Sequence, residues 1–197
     1  MCIRDRFQAQ RTPGVFQWVR ERAALINGTA DATTVRDEGW HFLMLGRCVE
    51  RADMTSRLVA SAALAGGSQQ PWTSTLRASG AYEAFLRAYR GLETDRGAAE
   101  FLLLDRLFPR SVVFALNRAE QCLDNLESSQ RAGFQNEAIR LLGRMRAELE
   151  YRSLTDLMPD LPHEMERVQL ACANATEAVT RRYFAGSEAL AWHGVRA

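Results

Sequence analysis

Apolar residues recur along most of the chain at steps of three and four residues, and no stretch shows the alternation of a strand. This spacing predicts an all-α protein, a multi-helix bundle built around one long central helix. The predicted helices cover Val15–Asn27, Thr34 to Leu64 or Ala65, Thr73–Ala78, Ala81–Tyr89, Gly97–Leu104, Ser111–Glu127, Gln135–Arg152 and Pro162–Phe184.

Capping residues and helix breakers set the predicted ends of these helices. Asn27-Gly28 indicates a stop for the first helix, and the capping-box sequence Thr34–Asp37 indicates the start of the second. Thr94 and Asp160 are predicted N-caps further along the chain. No linker divides the sequence, so we predict one helical domain over residues 15–184 and a loose tail over residues 185–197.

The long central helix carries apolar residues on both of its sides. One side is a plain apolar stripe, and the other mixes apolar and charged residues: Trp40, Leu43, Met54 and Leu58 with Arg47, Glu50, Arg51 and Arg57. A helix that is apolar on both sides is buried on both sides, so we expect these charges to be partly enclosed. Arg47 and Glu50 are spaced to pair on the helix itself. Asp53 and Asp105 are the expected partners of the other arginines.

The residues alone allow two interpretations of this charged group. In the first, it is an enclosed arginine–glutamate network that fixes the register of the helices, because an unpaired buried charge is costly. In the second, it is an anion-binding or general acid/base site in which the flanking guanidinium groups poise Glu50.

The charge balance and the choice of basic residue exclude several classes of function. The chain has 25 basic and 24 acidic residues, which gives no sign of a nucleic-acid binder or a polybasic membrane arm. Every basic residue is arginine, which excludes Schiff-base chemistry and a phosphate-loop lysine. The apolar runs are too short to span a membrane, and we expect a soluble cytoplasmic protein.

The cysteines and histidines favour neither a metal site nor a cofactor. Cys2, Cys48, Cys122 and Cys172 form no Cys-x-x-Cys pair, and those on apolar helices are typical of small buried hydrophobes. Glu38 and His41 have the spacing of a di-iron element, but a di-iron bundle needs a second such element and two further carboxylates. Arg181–Phe184 is typical of a solvated helix end.

The sequence Leu45-Gly-Arg-Cys-Val-Glu-Arg-Ala-Asp-Met-Thr-Ser-Arg-Leu58 resembles the signature of the bacterial alpha-E family, an all-helical domain with a Glu-Arg motif. Asp37–Trp40, Phe101–Asp105 and Phe108–Val112 also match the pattern of that family. The resemblance runs from about Phe16 to Phe184. Several separated motifs in the same order make it specific.

This resemblance implies an accessory role. Genes of the family lie beside those of ATP-grasp-like proteins and transglutaminase-like peptidases, which implies a helical partner module in bacterial peptide or amide-bond modification. Arg47, Glu50, Arg51 and Arg57 would form its central cluster, with Asp105 and Arg110 as second candidates. The alternative is an enzyme acting on amide or peptide bonds, with Glu50 as general base and Arg51 among the flanking arginines.

Two departures from the family pattern carry an expectation of their own. Members of the family begin with an earlier helical segment that holds a first copy of the motif, with the pattern Arg-x-x-Glu-Arg-Ala-Glu, and that copy is absent here. In addition, Met1–Arg6 fits no sequence of the family and resembles a translated sequencing adapter. We therefore expect an N-terminally truncated fragment with a non-native leader over residues 1–6. Such a fragment should expose the Arg47–Arg57 face and self-associate weakly through the helix over Thr34–Ala65.

Overall fold

A computed structural model describes residues 12–65, 71–91, 94–127 and 136–185, and within these ranges the chain is helical and contains no strand. The all-α prediction is confirmed. A short 3₁₀ turn over Met158–Asp160 precedes the last helix. The helices are α1 (Thr12–Thr33), α2 (Glu38–Leu64), α3 (Pro71–Ala78), α4 (Tyr82–Ala88), α5 (Asp95–Leu104), α6 (Val112–Glu127), α7 (Glu137–Glu150), α8 (Leu154–Leu157) and α9 (Leu161–Tyr183).

The chain divides into two compact units, Met1–Trp40 and His41–Ala197. The described part of the first unit contains α1 and the start of α2. Asp37 Oδ1 accepts a hydrogen bond from the backbone N–H of Trp40 at 3.1 Å, and the guanidinium carbon of Arg36 lies 3.5 Å from the centroid of the Trp40 ring. Asp37 therefore caps α2, and the cation–π contact fixes the turn before it.

Two predicted helix ends in this region are wrong. α1 continues through Asn27-Gly28 to Thr33, because a glycine inside a helix costs only about 1 kcal/mol and does not by itself end it. The backbone N–H of Thr34 accordingly donates to the carbonyl of Ala30. α2 starts at Glu38, after the Asp37 cap, rather than at Thr34.

The second unit has one hydrophobic core, to which α2, α3, α5, α6, α7 and α9 all contribute buried side chains. α7 packs against both α6 and α9, and α5 packs against α3 and α6. α2 turns one face into this core. Its buried residues there are Leu45, Cys48, Ala52, Val59 and Ala62.

Local capping explains where most of the later helices begin. Thr94 accepts from the backbone N–H of Gly97, as predicted, and Asn136 and Ser153 cap α7 and α8 in the same way. Asp160 occupies the N-cap position of α9, but its side chain makes no capping hydrogen bond because the 3₁₀ turn runs directly into that helix. The predicted leader over residues 1–6 and the tail over 186–197 lie outside the described residues.

Candidate functional site

The face of α2 opposite the core is exposed to solvent along most of the helix. We call it the outer face of α2. At about 100° per residue its members fall within one narrow stripe. They are Leu43, Gly46, Glu50, Met54, Arg57, Ser61 and Leu64, all of them exposed. The expectation that both sides of this helix are enclosed is therefore wrong for this stripe, although Trp40 is buried and Leu58 half-buried.

Arg57 and Asp53 form a bidentate ion pair on the outer face. Arg57 Nε donates to Asp53 Oδ2 at 2.7 Å, and Nη2 donates to Oδ1 at 3.0 Å. This hydrogen bonding raises the pKa of Arg57. Asp53 is thus a carboxylate partner as predicted, but the pair joins successive turns of one exposed helix surface.

Glu50 stands on the same face and makes no side-chain hydrogen bond or ion pair within the described ranges. The predicted Arg47–Glu50 pair is therefore wrong. Arg47 is half-buried and its Nη1 lies 3.7 Å from the sulfur of Met44. Arg51 is half-buried too, on the side of the helix nearer to Cys48.

The segment between α5 and α6 brings Arg110 to α2 but does not join Asp105 to the arginines. Asp105 Oδ1 accepts from the backbone N–H groups of Leu107 at 2.8 Å and Phe108 at 2.7 Å. Its carboxylate therefore builds the turn, and no arginine of the described residues pairs with it. The hydroxyl of buried Thr55 donates to the Arg110 carbonyl at 2.9 Å, which fastens the turn to α2 and leaves the Arg110 side chain exposed.

α1 presents a second exposed face, and this one is apolar. Its members follow one another at steps of three and four residues: Phe16, Val19, Ala23 and Ile26, with Phe16 65%, Val19 46% and Ile26 67% exposed. We call these four residues the apolar face of α1. Large apolar side chains grouped on a solvent-exposed surface are typical of a surface that binds another protein.

A comparison with known protein families shows which family the chain belongs to. The family described as "a predicted alpha-helical domain with a conserved ER motif" matches residues 2–184. The chain belongs to the Alpha-E family. No curated protein and no solved structure gives a significant match. Glu-Arg occurs three times in this Alpha-E chain, at Glu21-Arg22, Glu50-Arg51 and Glu166-Arg167. Glu50-Arg51 is the copy that lies within the sequence resembling the family signature.

One buried carboxylate of the Alpha-E chain, Glu127, is not among the residues that the sequence indicated. Glu127 at the end of α6 receives hydrogen bonds from Arg182 Nε at 2.6 Å and Nη2 at 2.7 Å, from Asn136 Nδ2 at 2.9 Å, and from the hydroxyl of Tyr183. The Arg182 contacts above all hold the pKa of Glu127 below its ordinary value. Burial, together with Glu127, raises the pKa of Tyr183 to about 12. Arg182 is therefore not part of a merely solvated helix end.

The contacts of Glu127 serve the fold. Four hydrogen bonds from the side chains of three neighbouring residues hold this buried carboxylate, three of them at Oε1 and one at Oε2. The interaction joins the end of α6, the start of α7 and the end of α9. Arg182 and Tyr183 lie 55 and 56 residues from Glu127 in the sequence, so no local pattern could have indicated these contacts.

A second missed network links α6, α7 and the turn after α5. Arg146 Nε donates to Glu120 Oε2 at 2.7 Å, Arg146 also pairs with Glu150, and Arg106 Nε lies 3.2 Å from Glu150 Oε1. Burial raises the pKa of Glu120 in spite of Arg146. The network borders a cavity of about 320 Å³. Both guanidinium groups already pair with carboxylates, Arg106 with Glu150 and Arg146 with Glu120 and Glu150, so these arginines serve to join the helices.

The described cysteines and metal-ligating residues form no metal site. Within the described ranges no three His, Cys, Asp or Glu residues are grouped to hold an ion. Cys48, Cys122 and Cys172 are buried free thiols. Burial raises the pKa of Cys48 to about 11 and that of Cys172 to about 12. In the part of the chain that the structure describes, no helix could cross a membrane.

Proposed function

We propose that this Alpha-E chain is an accessory module that binds an ATP-grasp-like protein and works with a transglutaminase-like peptidase in bacterial peptide or amide-bond modification. The observation that carries the proposal is the apolar face of α1. Phe16 and Ile26 there are about two-thirds exposed, at 65% and 67%.

The spacing of the apolar face of α1 suits insertion into a groove of another protein. Anchors at steps of three and four residues are how an amphipathic helix is recognised by a hydrophobic groove. Burial of one such large side chain gains about 1.5–3 kcal/mol. Phe16, Val19 and Ile26 together would therefore contribute several kcal/mol toward the cost of association.

The composition supports a division of labour between two chains. With no lysine, this chain lacks the residue that most nucleotide sites place on the phosphates. An ATP-dependent reaction would use the site of the ATP-grasp-like partner, and the Alpha-E chain would position or regulate that partner.

Co-purification of the full chain with a bacterial ATP-grasp-like protein whose gene adjoins that of an Alpha-E protein tests the proposal. We expect a complex at micromolar concentration that Ile26→Glu weakens at least tenfold. Leu170→Glu on α9 is the matched control, because Leu170 is 60% exposed but lies on another helix. No complex with the parent chain would refute the function. A complex that both variants leave intact would refute the assignment of the surface.

The alternative, an amide-bond enzyme that uses Glu50, has less support. A general base needs neighbours that orient it toward the proton it removes. Glu50 is exposed and has no hydrogen-bonding partner among the described residues. Turnover of candidate peptides by the purified chain alone, lost in Glu50→Gln, would favour the enzyme over the module.

A further inference from the structure

Along the outer face of α2, residues at equal distances from its centre are either of the same type or of opposite charge. Its centre lies between Asp53 and Met54. At equal distances on either side stand Glu50 and Arg57, then Gly46 and Ser61, then Leu43 and Leu64. The first pair is an acidic and a basic residue, the second is two small residues, and the third is two leucines.

From this symmetry we propose that the outer face of α2 binds a second copy of this chain, with the two α2 helices antiparallel about a twofold axis through the Asp53–Met54 region. In a twofold interface each contact occurs twice, so a surface must complement its own rotated image. Rotation about this axis places Glu50 of each copy opposite Arg57 of the other. The same rotation places each Leu43 opposite a Leu64.

The two leucines and the two charged residues of the face lie along one row of the helix surface. Leu43, Glu50, Arg57 and Leu64 recur every seven residues, and Met54 and Ser61 form a second row four residues further on. The distance from Leu43 to Leu64 corresponds to about 31 Å of helix at about 1.5 Å per residue. Gly46 opposite Ser61 allows the two backbones to approach closely, because neither side chain is large.

Charge complementarity favours an antiparallel pair of copies over a parallel pair. A parallel pair in register would set Glu50 against Glu50 and Arg57 against Arg57, which repel. In the antiparallel pair each Arg57 keeps Asp53 on its own helix and gains Glu50 of the other copy. Glu50 acts on Arg57 of its own helix only as a neighbouring charge, and in the dimer it gains an ion pair with Arg57 of the other copy.

The interface is small, so the association is weak. One pair of helices with a charged centre covers less than the roughly 1,200 Å² of total buried area at the lower end of stable interfaces. The dimer therefore forms at high protein concentration and weakens with salt, because its central ion pairs are at the surface. This arrangement gives the self-association predicted from the sequence a defined geometry.

Charge reversal with complementation tests the proposal. The parent chain, Glu50→Arg, Arg57→Glu and the double variant Glu50→Arg/Arg57→Glu are compared by sedimentation velocity from low micromolar to millimolar concentration. Each single variant places like charges across the axis, and we expect at least a tenfold loss of self-association. The double variant restores each opposing pair with reversed signs, so its dimer should return to within about threefold of the parent.

Mixing the two single variants is the most specific arm of the experiment. A Glu50→Arg copy opposite an Arg57→Glu copy brings opposite charges together at both positions, so the mixture should form a heterodimer although each variant alone is monomeric. Far-ultraviolet circular dichroism confirms that each variant is folded. Glu166→Arg, an exposed substitution on α9, is the control and should leave the dimer unchanged.

Three results would overturn the inference: a parent chain that stays monomeric at millimolar concentration, a dimer that persists in both single variants, or a mixture that does not associate. The inference does not depend on the proposed function. The partner protein is anchored on α1, and its complex is tested by Ile26→Glu, whereas the dimer is tested by substitutions on α2. Either proposal can fail while the other stands.

Discussion

Gly143 on α7 lies directly against the carboxylate of Glu120 on α6: a Cβ atom at position 143 would be 2.1 Å from Glu120 Oε1. The absence of a side chain at this position allows the carboxylate to lie against α7, where Glu120 Oε2 accepts a hydrogen bond from Arg146 at 2.7 Å. A glycine in the middle of a helix is thus explained by an ion pair with the neighbouring helix.

Gly143→Ala should destabilise the protein, although alanine is the better helix former by about 1 kcal/mol. The new methyl group displaces Glu120 and breaks its hydrogen bond to Arg146, and a hydrogen bond to a charged group contributes about 1.5–3 kcal/mol. We expect a net loss of about 0.5–2 kcal/mol in the free energy of unfolding, measured by urea denaturation.

The sign of this effect should reverse when Glu120 is removed first. In a Glu120→Ala background the methyl group meets no carboxylate, so Gly143→Ala should stabilise the protein by about 1 kcal/mol. A destabilisation of equal size in both backgrounds would show that position 143 acts through something other than Glu120.

The stability of the protein in acid should depend on Glu127. Because the pKa of Glu127 is lowered in the folded state, the unfolded chain takes up its proton first as the pH falls. The stabilisation by Glu127 is therefore complete above the ordinary pKa of 4.5 and is lost as the pH falls below it toward the folded value. Glu127→Gln should lower stability by about 2 kcal/mol at neutral pH, since Arg182 then loses its charged partner.

Glu127→Gln should also flatten the dependence of stability on pH below about pH 4.5, because the substituted side chain no longer titrates there. Denaturant titrations at a series of pH values measure both effects. The control is Glu166→Gln, on an exposed side chain. An unchanged acid slope in Glu127→Gln would contradict the prediction.

Asp105 should be replaceable by asparagine but not by alanine. Its role is to accept hydrogen bonds from two backbone N–H groups of the turn, which the amide oxygen of asparagine can also do. We expect Asp105→Asn to change the free energy of unfolding by less than about 0.5 kcal/mol, and Asp105→Ala to lower it by about 1–2 kcal/mol. If the carboxylate were instead an essential partner of an arginine, both variants would be equally unstable in thermal or urea denaturation.

Glu50→Gln should leave the stability of the monomer within about 0.5 kcal/mol of the parent, because an exposed side chain without a partner contributes little to folding. Thermal unfolding at low protein concentration measures this. A loss of several kcal/mol would mean that Glu50 is enclosed in an ion-pair network, as one of the two interpretations from the sequence holds.

The helical architecture and most helix starts could be predicted because their causes are local. Thr94 caps the helix that follows it, as the sequence indicated, through a contact within a few residues. The end of α1 was missed because Gly28 permits a helix to end but does not force it to. Asp160 lies at the predicted N-cap position of α9 but makes no capping hydrogen bond, because the 3₁₀ turn runs directly into that helix.

The environment of the charged residues could not be predicted, because it depends on which helices meet. Apolar residues flank Glu50 on its helix, yet Met54 beside it is exposed, since the core needs only the other face of α2. Arg182 pairs with Glu127, which is 55 residues away in sequence. The spacing of apolar residues shows which sides of a helix are apolar. It does not show which of those sides pack against other helices.

The labelling rates of the three buried thiols can also report how often individual helices of this protein open. Cys48 lies on α2, Cys122 on α6 and Cys172 on α9, and all three are protonated at neutral pH as well as shielded. A thiolate-specific reagent reaches each sulfur only when its helix opens, so the three labelling rates report three separate opening events. Peptide mass analysis after timed labelling would order α2, α6 and α9 by how often each leaves the core, without any substitution in the chain.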